Sequence, residues 1–108
     1  MVNNDLVPEL TKSEFESFTK EGLVLIDFFA EWCMPCLTMS PIIDELSEKF
    51  KGKVKFGKVN VEENQEAAQK YSVMSIPNFV LLKDGEVVEQ MMGSLPAEEL
   101  EDALNKHL

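Results

Sequence analysis

Seven consecutive residues, Leu23-Val24-Leu25-Ile26-Asp27-Phe28-Phe29, are apolar at even and odd positions alike, save for one carboxylate. A strand sends alternate side chains to opposite faces. A run apolar on both parities therefore predicts a central strand covered above and below. The run leads straight into Ala30-Glu31-Trp32-Cys33-Met34-Pro35-Cys36, which holds both cysteines and the one tryptophan of the chain. Two thiols separated by two residues close a ring so short that it removes little entropy from the unfolded chain. The pair is a weak structural staple and a good redox switch.

The flanking patterns supply the cover. Leu6 to Leu10 is short and contains Pro8, so at most an edge strand begins there. Thr11 stands three residues before Glu14, a capping-box spacing, and Phe15 and Phe18 follow on one face of a helix predicted over 12–20 and stopped by Gly22. From Cys33 to about Phe50, Leu37, Ile42, Ile43, Leu46 and Phe50 recur at helical spacing, with Gly52 ending the helix. Pro35 suits its first turn, whereas Pro41 lies inside it and predicts a kink. Val54, Phe56, Val59 and Val61 mark a second strand over 54–61. Residues 63–71 form a polar helix with Ala67, Ala68 and Tyr71 on its buried side.

Ile76-Pro77 introduces a strand over 78–83, and Asp84-Gly85 is a hairpin signal joining it to a strand over 86–92. Pro96, Glu98 and Glu99 suit the positive end of a last helix, with Leu100, Ala103, Leu104 and Leu108 as its buried stripe. Strands linked by helices pair in parallel and the hairpin adds antiparallel pairing. The predicted architecture is α/β, a central mixed β-sheet flanked by helices on both faces.

The chain of 108 residues suffices for one domain, spanning 1–108, and is too short for two. A net charge of −10, with no Lys/Arg cluster, argues against nucleic-acid and anionic-membrane partners and for solubility. Residues Met1 to Leu6 carry neither a basic region nor an apolar core, so no signal peptide is expected. No apolar run reaches the roughly 18 residues of a membrane span. A C-x-x-C pair in such a chain belongs to a reducing, cytoplasmic setting. A zinc half-site is the alternative for the two thiols. Zinc wants four N or S ligands, and only His107 is left to join them, so no metal is expected. His107, in the last helical turn, receives no catalytic role.

Trp32-Cys33-Met34-Pro35-Cys36, together with Asp27, Pro41, Lys58, Ile76-Pro77 and Gly93, resembles the thioredoxin family from about Thr11 to Leu108. The resemblance implies the thioredoxin fold and reduction of protein disulfides through a reversible Cys33–Cys36 pair. It also implies recharging by a separate thioredoxin reductase. No cofactor is expected beyond the two cysteines, since no nucleotide fingerprint is present.

Cys33, at a helix N-terminus, is the expected nucleophile, because unpaired N–H groups and the helix dipole favour its thiolate. Cys36, one turn in and expected to be the more buried, is the resolving thiol. Asp27 in an apolar strand should have its pKa raised by desolvation. The resemblance gives it the task of deprotonating Cys36. An edge-strand aspartate facing water is the alternative. Lys58 resembles the lysine that approaches this aspartate; read alone, it is a strand lysine equally suited to face solvent.

By resemblance Pro77 is a cis-proline facing the disulfide, presenting the backbone of Ile76 to an extended substrate segment. Trp32, Met34, Pro35, Ile76, Pro77 and Gly93 are the expected substrate-binding residues. Trp32 would be a partly exposed lid, the alternative being a core tryptophan. Met34, Met74 and Met92 fall at the rim, where methionine suits a surface accepting many partners; core gap-filling is the alternative for the latter two.

The chain departs from the family at Met34, usually glycine, at Leu37, often lysine, and at Phe29, frequently tryptophan. The first two make the rim more apolar and remove a cation. No histidine stands between the cysteines, so the pair is expected to stay reducing. The reading is a monomeric thiol–disulfide oxidoreductase. Its rivals are a disulfide isomerase or oxidase, which would refold scrambled disulfides yet fail to reduce insulin, and a binding module whose function survives Cys33→Ser.

Overall fold

The computed structural model describes residues 6–108. The expectation of no signal peptide therefore falls largely on residues 1–5, outside the described part. The elements are α1 (Lys12–Thr19), β1 (Leu23–Phe29), α2 (Met34–Lys49), β2 (Lys55–Asn60), α3 (Gln65–Lys70), β3 (Asn78–Lys83), β4 (Glu86–Met92) and α4 (Ala97–Lys106). They follow the expected order. The strands form one mixed sheet in the order β2-β1-β3-β4, with β1 parallel to β2 and antiparallel to β3.

Strand parity assigns the two cores. Leu23 and Leu25 of β1 pack with Phe56, Phe79 and Leu81 under Met39, Ile43, Leu46 and Phe50 of α2 and Leu100 and Leu104 of α4. Val24, Ile26 and Phe28 point the other way, into a second core with Val59, Val80, Leu82, Phe15 of α1 and Ala67 of α3. Both faces of β1 are thus covered, as its composition requires. Asp27 shares the parity of Leu23 and Leu25, which directs its carboxylate toward α2.

Local chemistry explains the boundaries. Glu14 accepts the Thr11 N–H at 2.9 Å and the Thr11 hydroxyl at 2.8 Å, starting α1. α3 begins later than its sequence pattern because Asn64 caps it, accepting the Ala67 N–H at 3.2 Å. Asp84 and Gly85 both have positive φ, the conformation of a tight hairpin turn. Asp84 Oδ1 also accepts the Gly22 N–H at 2.8 Å, tying the hairpin to the start of β1.

Residues 8–10 add only a bridge to the outer edge of β2. The Leu10 N–H donates to the Lys58 carbonyl at 2.8 Å and the Lys58 N–H to the Pro8 carbonyl at 2.9 Å. Gly57 permits this approach, since a Cβ there would lie 2.8 Å from Leu10 Cδ1.

Three expectations are corrected. β3 follows β2 through α3 yet does not pair with it in parallel, because it lies on the far side of β1 and runs antiparallel to that strand. Leu37 is exposed, because it lies one residue off the line of Cys36, Met39 and Ile43 that faces the sheet. Leu108 is also exposed, because α4 ends at Lys106 and the helical spacing no longer carries the chain inward. Pro41 lies within α2, which remains one helix from Met34 to Lys49 despite the donor that proline lacks.

Candidate active site

The site forms where β1 ends and α2 begins. Cys33 is the N-cap of α2 and Pro35 occupies its first turn. Cys33 and Cys36 are joined in a disulfide, with their Cα atoms 5.2 Å apart. The Cys36 N–H donates to Cys33 Sγ at 3.2 Å, so a helix-end donor is turned on this sulfur. Both cysteines are buried, Cys33 to 4% exposure and Cys36 to 6%. The expected contrast in burial between them is absent, since Ala30, Phe29, Val61 and Ile76 pack around both.

Below Cys36 lies a cleft of about 290 Å³, lined by Asp27, Phe29, Ala30, Glu31, Cys36, Leu37, Ser40 and Lys58. Asp27 is buried, and its Oδ1 has no hydrogen-bond partner among the described residues. Burial pushes its pKa from 3.8 up to about 7; the nearby Lys58 charge draws it down and Asp44 pushes it further up. The edge-strand alternative for Asp27 is thereby excluded, because β1 is paired on both sides. Lys58 is half-buried on the neighbouring strand, with Nζ 5.6 Å from the Phe29 ring centroid.

Opposite the disulfide, the Ile76–Pro77 bond is cis. Ile76 packs on the cluster of Ala30, Cys33 and Cys36, and Pro77 is buried. The Gly93 N–H donates to the Pro77 carbonyl at 2.8 Å, holding the two loops together. Gly93 has φ +86°, a backbone state that favours glycine. Around this centre Trp32 is 67% exposed, Met34 69%, Met74 90% and Met92 56%. These exposures exclude core packing for Trp32, Met74 and Met92. Ser75 donates to Met92 Sδ at 3.2 Å, which draws Met92 to the loop that carries Ile76.

Sequence reasoning does not single out Ser40, Glu31 or Asp44. A signal exists for two of them: Ser40 and Asp44 follow Cys36 at intervals of four and so share its helix face. Among the described residues, no group of three or more His, Cys, Asp and Glu side chains is placed to hold a metal ion.

A disulfide at the mouth of a helix, with a buried acid beneath it on a mixed sheet, defines a dithiol–disulfide exchange protein. The thioredoxin family model matches residues 6–106. Thioredoxin from Bacillus subtilis is 48% identical over 102 residues, covering 94% of this chain and 98% of that protein. Thioredoxin from Listeria monocytogenes is 45% identical over 103 residues, covering 95% and 100%. Thioredoxin from Staphylococcus aureus is 40% identical over 102 residues, covering 94% and 98%. The chain belongs to the thioredoxin family. It is a thiol–disulfide oxidoreductase that reduces protein disulfides through the Cys33–Cys36 pair, and the isomerase and binding-module readings are not favoured.

Proposed function

We propose that Cys33 is the attacking sulfur, Cys36 the resolving one and Asp27 the base that serves Cys36. The Cys33 thiolate attacks one sulfur of a substrate disulfide; that S–S bond breaks and one substrate thiolate leaves. Asp27 takes the Cys36 proton. The Cys36 thiolate then attacks Cys33 Sγ in the mixed disulfide, the second substrate thiolate leaves and takes up a proton, and the Cys33–Cys36 disulfide forms. Two electrons pass from the dithiol to the substrate. The observation that carries this reading is the Cys36 N–H aimed at Cys33 Sγ on the end of α2, a donor that would favour the anion on this sulfur once the pair is reduced. Asp27 suits a proton acceptor near neutrality because of its burial and its pKa near 7. Lys58 limits how far burial raises that pKa.

The rim of Trp32, Met34, Pro35, Ile76, Pro77 and Gly93 receives an extended, disulfide-bearing segment of a protein substrate with apolar side chains beside its cysteine. The protein works as one domain over residues 1–108, as a monomer in the cytoplasm. It needs no cofactor beyond its cysteines, is recharged by a thioredoxin reductase, and has no nucleic-acid or membrane partner. A net charge of −10 supports the absence of nucleic-acid partners. No helix among the described residues is long and apolar enough to cross a membrane. The test is a trapping experiment. Cys36→Ser should accumulate substrate proteins as mixed disulfides on Cys33, and Cys33→Ser should trap none. Trapping through Cys36 in the Cys33→Ser variant would reverse the assignment.

A further inference from the structure

We propose that Met34, Met74 and Met92 are a modification site for peroxide-class oxidants, and that their sulfoxides weaken docking of protein substrates. The inference rests on the rim reading of the proposed function. In the disulfide form Cys33 and Cys36 are bonded to each other and no other cysteine exists. A two-electron oxidant therefore meets thioethers, not thiols. Oxidation of a thioether follows its exposure.

Among the described residues three methionine side chains stand open, at 69% for Met34, 90% for Met74 and 56% for Met92. Met34 lies between the two cysteines in the chain, Met74 stands two residues before the Ile76 that packs on them, and Met92 Sδ accepts the hydroxyl of Ser75, the neighbour of Ile76. Met39, by contrast, is buried in the α2 core and receives the Leu95 N–H at 3.4 Å on its sulfur. The molecule thus carries its own unreactive control. In the reaction the thioether sulfur attacks one oxygen of hydrogen peroxide, the O–O bond breaks, an S–O bond forms and water leaves. Sulfur is oxidised by two electrons and the peroxide reduced by two. A flexible apolar side chain becomes a polar one that a docked apolar segment would have to desolvate.

The test uses the full chain in its disulfide form, treated with hydrogen peroxide and then freed of it. Peptide mass mapping should find one added oxygen on each of Met34, Met74 and Met92 before any on Met39. After treatment, kcat/KM for insulin should fall roughly tenfold, through KM, the size expected for desolvating a polar group without a partner. The rate toward a small aromatic disulfide should not change. The triple variant Met34→Leu, Met74→Leu, Met92→Leu, compared with itself before and after treatment, should show no change in the insulin rate.

Oxygen reaching Met39 first, or an insulin rate unmoved by full rim oxidation, overturns the proposal. So does an equal loss toward the small disulfide. The triple variant Met34→Gln, Met74→Gln, Met92→Gln separates the two levels. An insulin KM that does not rise in it refutes the rim as docking surface. A raised KM in it, together with Met34, Met74 and Met92 of the parent protein left untouched by peroxide, refutes only the modification.

Discussion

Asp27 and Lys58 are register partners across the parallel pairing of β1 and β2, and both side chains line the cleft beside Cys36. The pairing puts a cation within electrostatic reach of a buried acid whose Oδ1 is unpartnered among the described residues. Asp44, on the helix above, acts in the opposite sense. Two substitutions should therefore move the Asp27 titration in opposite directions. Lys58→Met should raise its midpoint above the value near 7, and Asp44→Asn should lower it. Carbon NMR of the Asp27 carboxyl reads both, and movement in one common direction would contradict this arrangement.

Stability should carry the mark of the same group. Folded Asp27 keeps its proton up to about 7, whereas the unfolded chain loses it near 3.8. Between these values the folded state binds more protons, so the Asp27 contribution falls as pH rises through the interval. Below it the penalty vanishes; above it the penalty is complete. Asp27→Asn should stabilise the protein on the order of 4 kcal/mol at a pH above 7 and scarcely at all near pH 4. Urea titrations at the two pH values check this, and an equal gain at both would remove the ionisation from the account.

Much of the fold and of the site is legible in the residues alone. β1 declares itself because both parities are apolar, and Asp27 stands out because a lone carboxylate in such a run must be desolvated. Asp84-Gly85 marks the hairpin because few other dipeptides suit two consecutive positive φ values. The features that sequence misses depend on how one element lies over another. Leu37 carries the hydrophobicity of a core residue, yet the rotation of α2 leaves it at the cleft mouth. Met39, outside the stripe expected to be buried, is almost fully enclosed. Equal burial of the two cysteines follows from Phe29, Val61 and Ile76, which converge from three separate segments. Helical spacing places Ser40 and Asp44 on the face of Cys36, but only the packing of α2 on β1 turns that face toward Asp27.

Met74 tests the rim. Its side chain is almost wholly exposed, so Met74→Glu should leave stability within about 0.5 kcal/mol of the parent. KM for insulin should nonetheless rise several-fold while the rate toward a small aromatic disulfide holds. An unchanged KM would place protein docking elsewhere.

The Cys33–Cys36 pair should stay on the reducing side when equilibrated with glutathione. Leu37 brings no cation to the helix mouth, and no histidine stands between the cysteines to favour the thiolate further. The margin is narrow in energy, since about 30 mV corresponds to about 1.4 kcal/mol for a two-electron couple. A potential among the strong oxidants would contradict this reading.

The most direct test asks which sulfur reacts first. The reduced protein is treated with limiting iodoacetamide across a pH series, and the adduct is located by peptide mass mapping. Cys33 should carry nearly all of the adduct, with a rate that rises through an inflection below the ordinary thiol value of about 8.5. First modification at Cys36, or equal modification of both, would contradict the assignment of Cys33 as the anion at the end of α2.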